Sequence, residues 1–200
     1  MLLLPLRETT VRMKEPQEMN KAKAFRNFLN QVNQFAQIVL VTDEEVRHLF
    51  GEEVTMAVAK LEHSSKEEQI CSGCGGICCN DIGCEIYAPQ FSQCPIYAYR
   101  PLVCRLHFCH RFDAMHRSMV IELRDVFVDC FRAMNPQDNQ KLKSLDSPPL
   151  GEACPEFITA VGPWVEAVRD GSLEPDHVIE LICREAEKYR NACSCIIGAT

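Results

Sequence analysis

The sequence predicts a mainly α-helical protein whose helices surround an irregular, cysteine-rich loop. Two observations favour this class. Apolar residues recur at helical spacing on both sides of the centre of the chain, and eight of the thirteen cysteines lie within residues 71–109. The chain has 200 residues, 46% of them apolar, which is enough for one globular domain with a sizeable core. We expect a single domain over residues 1–200, divided into N-terminal helices (16–62), a cysteine module (71–110), C-terminal helices (117–190) and a cysteine-containing tail (191–200).

The N-terminal helices are predicted from apolar periodicity. A first helix is expected from residue 16 to about residue 39, because one face carries regularly spaced apolar side chains: Phe25, Phe28, Leu29, Val32, Phe35, Ala36 and Val39. Thr42 and Glu45 form a capping-box pattern, which predicts a second helix that begins at Asp43 and ends at Gly51.

A third helix is expected over residues 52–62, with Val54, Val58 and Leu61 facing inward. The polar residues 63–69 are expected to form a loop that leads into the cysteine module. We identify no internal repeat.

The C-terminal half is also predicted to be helical. Residues 117–134 carry an apolar face, although β-branched stretches within them would also suit a strand. A long connection over residues 135–155 contains four prolines. Helices follow over residues 157–169, interrupted or started by Gly162-Pro163, and over residues 176–190.

The cysteine module has the spacing of a thiolate site. It contains a C-x2-C pair at Cys71 and Cys74, adjacent cysteines at 78 and 79, and four more: Cys84, Cys94, Cys104 and Cys109. Converging cysteines serve either as disulfides or as ligands of a metal ion or iron–sulfur cluster. The absence of a secretory signal suggests the cytoplasm, where disulfides are disfavoured, and an odd number of cysteines cannot pair completely within one chain. Both points favour ligation.

The adjacent cysteines leave three alternatives open. One of Cys78 and Cys79 is a ligand and the other is packed, or each serves a different site, or both touch one larger cluster. We also predict that Arg100 and Arg105 lie beside the ligands, where they would offset thiolate charge and donate hydrogen bonds to sulfur. The alternative for both arginines is an ion pair with a local carboxylate such as Glu85 or Asp81.

The segments CSGCGGICC and CPIYAYRPLVCR together resemble the YkgJ-type cysteine-cluster family, described as a zinc- or iron-chelating domain. Both halves of the family pattern are matched: C-x2-C-x-G-x-C-C, then C-x-I-Y-x-x-R-P-x-x-C-R. The resemblance spans about 40 of the 200 residues. It implies that six cysteines belong to the shared metal-binding set, namely Cys71, Cys74, Cys78, Cys79, Cys94 and Cys104. It assigns Cys84 and Cys109 less directly, and it implies no particular reaction.

An iron–sulfur cluster, [4Fe-4S], is favoured over zinc, because eight irregularly spaced sulfurs exceed the need of one zinc ion and include only one C-x2-C pair. We expect an electron-transfer protein or an accessory to a partner enzyme. The alternatives are a structural zinc module that acts as an interaction protein and an oxidoreductase that uses the cluster directly.

Other candidates are weaker. His107 and His110 flank Cys109 and are possible ligands, and Cys154, Cys193 and Cys195 are possible additions to a site. Cys130 and Cys183 lie on apolar helix faces and are expected to pack in the core. The net charge of −7 argues against nucleic-acid binding, and no apolar run is long enough for a membrane span.

Overall fold

The structure is a computed structural model that describes residues 19–35, 38–133 and 149–197. The predicted mainly helical class is confirmed. Its α-helices are α1 (Lys21–Phe35), α2 (Asp43–Phe50), α3 (Glu52–Glu67), α4 (Ile70–Cys74), α5 (Ile77–Asp81), α6 (Leu102–Leu106), α7 (Asp113–Ala133), α8 (Leu150–Ala153), α9 (Pro155–Arg169) and α10 (Pro175–Ile197). Two 3-10 turns, Tyr97–Tyr99 and His110–Phe112, flank α6. In these ranges the only β-type pairing is an isolated antiparallel bridge between Leu40 and Pro101.

The helices build two adjoining hydrophobic cores. The first core is formed mainly by α1, α2, α3, α6 and α7. The second is formed by α8, α9 and α10 together with residues 86–96 of the cysteine module. Residues 38–41 lie between the cores, because Ile38 and Val41 contribute to the first while Val39 and Leu40 contribute to the second.

The capping-box prediction is confirmed in detail. The Thr42 hydroxyl accepts a hydrogen bond from the Glu45 N–H, and the Glu45 carboxylate accepts one from the Thr42 N–H. Gly51 follows α2 with a φ of 88°, a left-handed value that favours glycine. The inward positions of α3 are also confirmed, since Val54, Val58 and Leu61 are buried.

Several predicted boundaries are wrong. α1 ends at Phe35, and Val39 belongs to an extended segment, where Val41 donates its N–H to the Arg100 carbonyl. The β-branched residues Ile38, Val39 and Val41 favour that conformation. The expected loop over 63–69 is mostly helix, because α3 continues to Glu67 through residues that contain neither glycine nor proline.

The C-terminal half is helical in its described residues, as predicted, and the strand alternative is wrong for residues 117–133. α9 runs without interruption through Gly162 and Pro163, because Val161 and Val165 on either side are buried in the second core. The expected tail is also wrong: α10 extends to Ile197. Residues 16–18, most of the long connection (135–148) and residues 198–200 lie outside the described residues.

Candidate thiolate metal site

Two very short helices carry the first four cysteines of the module. α4 contains Cys71 and Cys74, three residues apart and thus on one face, and α5 contains Cys78 and Cys79. The turn between these helices is Gly75-Gly76, with φ values of 65° and 70°. A side chain at residue 76 would clash, since a Cβ there would lie 2.9 Å from the Tyr87 ring. The two glycines therefore supply the two consecutive left-handed residues that separate the helices.

Two turns with the same sequence pattern carry the next two cysteines. The sequences CEIY (84–87) and CPIY (94–97) both read C-x-I-Y. In each turn the tyrosine N–H donates to the cysteine carbonyl, at 3.0 Å for Tyr87 and 3.1 Å for Tyr97. The isoleucine N–H, from Ile86 or Ile96, donates to the sulfur of its cysteine.

Both isoleucines are buried in the second core. The repeat thus anchors each turn by an apolar side chain and presents a sulfur that already accepts a backbone hydrogen bond, an arrangement that favours a thiolate ligand. This repeat was not predicted, although both C-x-I-Y patterns can be read directly from the sequence.

The loop that holds the first turn is clamped to the second core. The Glu85 carboxylate accepts hydrogen bonds from the N–H groups of Leu150 (3.0 Å) and Gly151 (2.8 Å). Arg169 donates to the carbonyls of Tyr87 and Glu85. Glu85 therefore does not pair with Arg100 or Arg105, which was one of the alternatives for these arginines. Its role is to fix the loop against α8 and α9.

Four thiols form a mutually neighbouring set, which we call the four-thiol set: Cys79, Cys84, Cys94 and Cys104. In every one of the pairs that these four residues make, charge on one sulfur disfavours charge on the other. The chain supports the grouping directly, because the Cys84 N–H donates to the Cys79 carbonyl at 3.0 Å. All four side chains are partly buried.

Burial governs the protonation of these thiols. It raises the pKa of Cys84, Cys94 and Cys104 to about 12, and repulsion from neighbouring sulfurs acts in the same direction. Burial, followed by the charges of Cys71 and Cys74, raises the pKa of Cys79 as well. The four sulfurs thus keep their protons at neutral pH unless a cation compensates their charge.

The chemistry of this donor set suits a thiolate-bound metal, but the four sulfurs do not converge on one point. Within the described ranges, no group of three or more His, Cys, Asp or Glu side chains is arranged to hold a metal ion. Binding therefore requires the four sulfurs to approach one another as they lose their protons.

The other four predicted cysteines lie near this set. Cys71 and Cys74 both act electrostatically on the sulfur of Cys79. Cys109, Cys74 and Cys79 act in the same way on the sulfur of Cys78, and Cys109 has the largest effect of the three. The structure therefore brings all eight predicted cysteines into one neighbourhood, with Cys79 in the four-thiol set and Cys78 beside Cys109.

Arg100 lies beside three members of the four-thiol set. Its guanidinium lowers the pKa of Cys79, Cys94 and Cys104 against the larger effect of burial. It is held by an ion pair with Glu62 and by stacking on Tyr97, whose ring centre is 3.9 Å away. Glu62 was not foreseen, because it is distant in the sequence and no local pattern links it to residue 100.

Arg105 lies elsewhere. Its side chain is 1% exposed and donates hydrogen bonds to the carbonyls of Val41 and Ala98 and to the Asp43 carboxylate. None of these acceptors is a sulfur. The structure thus assigns Arg105 to the junction between residues 38–41 and α6 rather than to the cysteines.

The remaining candidates lie apart from the four-thiol set. His107 and His110 are exposed. Cys154 is buried in the second core, where its thiol donates to the Leu150 carbonyl at 3.2 Å. Cys193 lies beside Tyr189 of the same helix, and its thiol and charge help to raise the pKa of that tyrosine. The side chain of Cys195 is outside the described residues. Cys130 is fully buried, as predicted, and Cys183 is partly buried.

An open cavity of about 280 Å³ adjoins the site. Cys79 and Cys84 line it together with Glu85, Tyr87 and Arg169. No pocket was recognisable from the sequence, because the residues that line it, within 79–87 and at Arg169, lie far apart in the chain. The cavity gives two of the four sulfurs a path to solvent.

Comparison with known proteins finds no protein-family model, no curated protein and no solved structure that matches the chain. The resemblance to the YkgJ-type family therefore stays a prediction. In the described part of the chain, no helix combines the length and hydropathy needed to cross a bilayer.

Proposed function

We propose that this chain binds an iron–sulfur cluster through Cys79, Cys84, Cys94 and Cys104, and that it acts in the cytoplasm as an electron carrier or as an accessory to a partner enzyme. The observation that carries the proposal is the four-thiol set itself, in which every sulfur is a close electrostatic neighbour of the other three. Four thiolates are the usual protein complement of a [2Fe-2S] or [4Fe-4S] cluster.

The surroundings of the set suit a cluster more than a single ion. The sulfurs of Cys84 and Cys94 accept backbone hydrogen bonds, and Arg100 places a positive charge near three of the four sulfurs. Hydrogen bonds to sulfur and nearby charge are the means by which a protein sets the potential of a cluster, which would supply one-electron chemistry. Cys71 and Cys74, which flank Cys79, add donors beyond the four that one zinc ion uses.

An electron carrier needs its redox centre close to the surface. Cys79 and Cys84 line the open cavity, so the four-thiol set lies at the edge of the molecule. With a net charge of −7, the chain would dock by electrostatic attraction to a partner that presents a basic surface around its own redox centre.

A structural zinc site is the second candidate. A closed set of four cysteines is also the complement of structural zinc, and the two C-x-I-Y turns would each supply one ligand from a rigid loop. In that case the metal would hold the loop against the second core, and the helices would provide an interaction surface. A cluster used directly in catalysis is the third candidate, because the open cavity would give a substrate access to two of the four sulfurs.

The test is metal and acid-labile sulfide analysis of the full chain purified without oxygen, together with a visible absorption spectrum. We expect iron and sulfide in equal amounts and a broad absorption that bleaches on reduction. Cys79→Ser and Cys104→Ser should each reduce the cluster content severely, because each removes one of four ligands.

Cys130→Ala is the matched control. Cys130 is a buried cysteine of the first core, so its substitution tests the loss of a thiol without the loss of a ligand. It should leave metal content unchanged. Stoichiometric zinc without sulfide would replace the first candidate by the second. A chain that binds neither metal, or that keeps its cluster after substitution of Cys104, would refute the proposal.

A further inference from the structure

Two large apolar side chains are exposed beside the open cavity. Ile77 is the first residue of α5 and Ile82 directly follows this helix, and the two residues are 48% and 57% exposed. Neither side chain belongs to a hydrophobic core. A single exposed apolar side chain is ordinary on a protein surface, but two on one short element that borders a candidate site indicate a contact surface.

The other exposed large apolar side chains of the described residues are dispersed. They lie one each on α1, α3 and α7 and in the turn between α9 and α10, namely Leu29, Met56, Phe131 and Leu173. None of these four lines the cavity. The pair at α5 differs in its location, because Cys79 and Asn80, which lie between the two isoleucines in the chain, both line the cavity.

The segment that carries this pair is acidic. Residues 67–99 contain no lysine or arginine and four carboxylate side chains: Glu67, Glu68, Asp81 and Glu85. Asp81 lies between the two isoleucines in the chain and is exposed. Arg169 is the basic residue that lines the cavity, and its guanidinium donates hydrogen bonds to the carbonyls of Glu85 and Tyr87. The surface around the isoleucines therefore complements a partner with basic side chains.

We propose that Ile77 and Ile82, with Asp81 between them, form a docking surface for a redox partner protein whose cofactor edge is apolar and ringed by lysine or arginine. We call these three residues the α5 surface. The inference rests on the proposed function, because it assigns the place where electrons leave the proposed cluster. Apolar side chains at the centre of such a contact exclude water, and the surrounding charges orient the two proteins before they touch.

The α5 surface lies next to the four-thiol set. Cys79 is a residue of α5, and Cys79 and Cys84 line the open cavity. A partner bound to the α5 surface therefore lies next to two of the four sulfurs. The reaction is the transfer of one electron from the reduced protein to the oxidised cofactor of the partner, and it forms and breaks no bond.

The test uses cytochrome c, a basic haem protein, as the electron acceptor. The full chain is purified without oxygen, reduced chemically and freed of excess reductant, and the reduction of cytochrome c is followed by stopped-flow absorption. The rate constant should fall about tenfold as the salt concentration rises from about 10 mM to about 200 mM. Ile77→Gln and Ile82→Gln should each lower the rate constant about fivefold, because each removes an apolar contact at the centre of the docking surface.

Three control variants separate docking from other effects. Met56→Gln and Leu29→Gln replace exposed apolar side chains on α3 and α1 and should leave the rate constant unchanged. Asp81→Asn should weaken the salt dependence, whereas Asp176→Asn, at an exposed position in the first turn of α10, should not. Every variant should keep the wild-type metal content and visible spectrum. The two isoleucine variants should react with ferricyanide at the wild-type rate, because this small oxidant needs no docking surface.

Three results would overturn the proposal. The first is a wild-type rate with cytochrome c in both isoleucine variants. The second is an equal loss of rate with ferricyanide, which would place the defect in the cluster rather than in docking. The third is a wild-type dimer in sedimentation that either isoleucine substitution dissociates, because a second copy of the chain would then occupy the surface. A chain without iron and sulfide would refute the proposed function together with this inference, whereas the three results above refute this inference alone.

Discussion

Replacement of Arg105 by methionine should destabilise the fold and leave the metal site intact. The guanidinium is almost completely buried and bonds to three acceptors on two segments: the Val41 carbonyl and the Asp43 carboxylate on one, and the Ala98 carbonyl on the other. Burial lowers the pKa of Arg105, and the Asp43 charge opposes that change. Methionine fills a similar volume and can make none of the three hydrogen bonds.

The magnitude follows from what the change leaves behind. The Val41 carbonyl loses its donor in a buried position, at a cost of about 1–3 kcal/mol. Ala98 is exposed and its hydrogen bond is part-buried, so water replaces much of that bond. The Asp43 side chain is 71% exposed, so water replaces its lost partner at little cost. Removal of a buried charge returns part of the total. We expect a net loss of about 2 kcal/mol in the free energy of unfolding.

Chemical denaturation of the reduced protein by urea measures this loss. For a chain of this size, about 2 kcal/mol moves the midpoint by about 1 M. Asp43→Asn is the matched control, with an expected loss below about 1 kcal/mol. Metal content of the folded Arg105→Met protein should equal that of the wild type, whereas Arg100→Met should reduce it. Wild-type stability together with lost metal in Arg105→Met would refute this assignment of roles.

Two further predictions follow from the geometry of the module. Gly76→Ala should lower the free energy of unfolding by about 2 kcal/mol and weaken metal binding, because the φ of residue 76 is 70° and the new Cβ would meet the Tyr87 ring. Gly73→Ala is the control and should cost no stability, because residue 73 has open space around it. Equal effects of the two substitutions on unfolding and on metal titration would contradict the reasoning. The reduced, metal-free protein should lose stability as the pH rises above about 9, because the Cys104 thiol, with a pKa raised to about 12, keeps in the folded state a proton that the unfolded chain releases. The loss should be about 1 kcal/mol for this thiol near pH 10, and unfolding curves of Cys104→Ala should show a correspondingly smaller fall.

The helices were largely predictable, because the signals that specify them are local. The capping box at Thr42 and the stop at Gly51 were confirmed, since both depend on residues within one turn. The errors arose where local signals were weak or were overridden. Residues 63–67 are polar yet contain no helix breaker, and Pro163 is tolerated inside α9 because buried valines on both sides hold the helix in place.

The sequence was sufficient to identify the cysteine module, but not the arrangement of its thiols. The cysteine spacing and its glycines identified all eight residues that the structure brings together, and Arg100 lies beside them. The C-x-I-Y repeat could also have been recognised from the sequence. By contrast, the partners of Arg100 and Arg105 are Glu62 and Asp43, which no sequence pattern connects to them, because both contacts join segments far apart in the chain.

The sequence by itself determined the helical class, the cysteine module and the glycine turn that folds it, because each depends on the conformational preferences and chemistry of neighbouring residues. Only the tertiary structure decided which sulfurs become neighbours. Cys78 and Cys79 are adjacent in the chain, yet Cys79 joins the four-thiol set while Cys78 meets Cys109. Two hydrophobic cores hold the partners of these cysteines, with Cys109 packed against the first core and Cys84 and Cys94 against the second. Such packing depends on contacts between distant segments, and only the folded chain contains them.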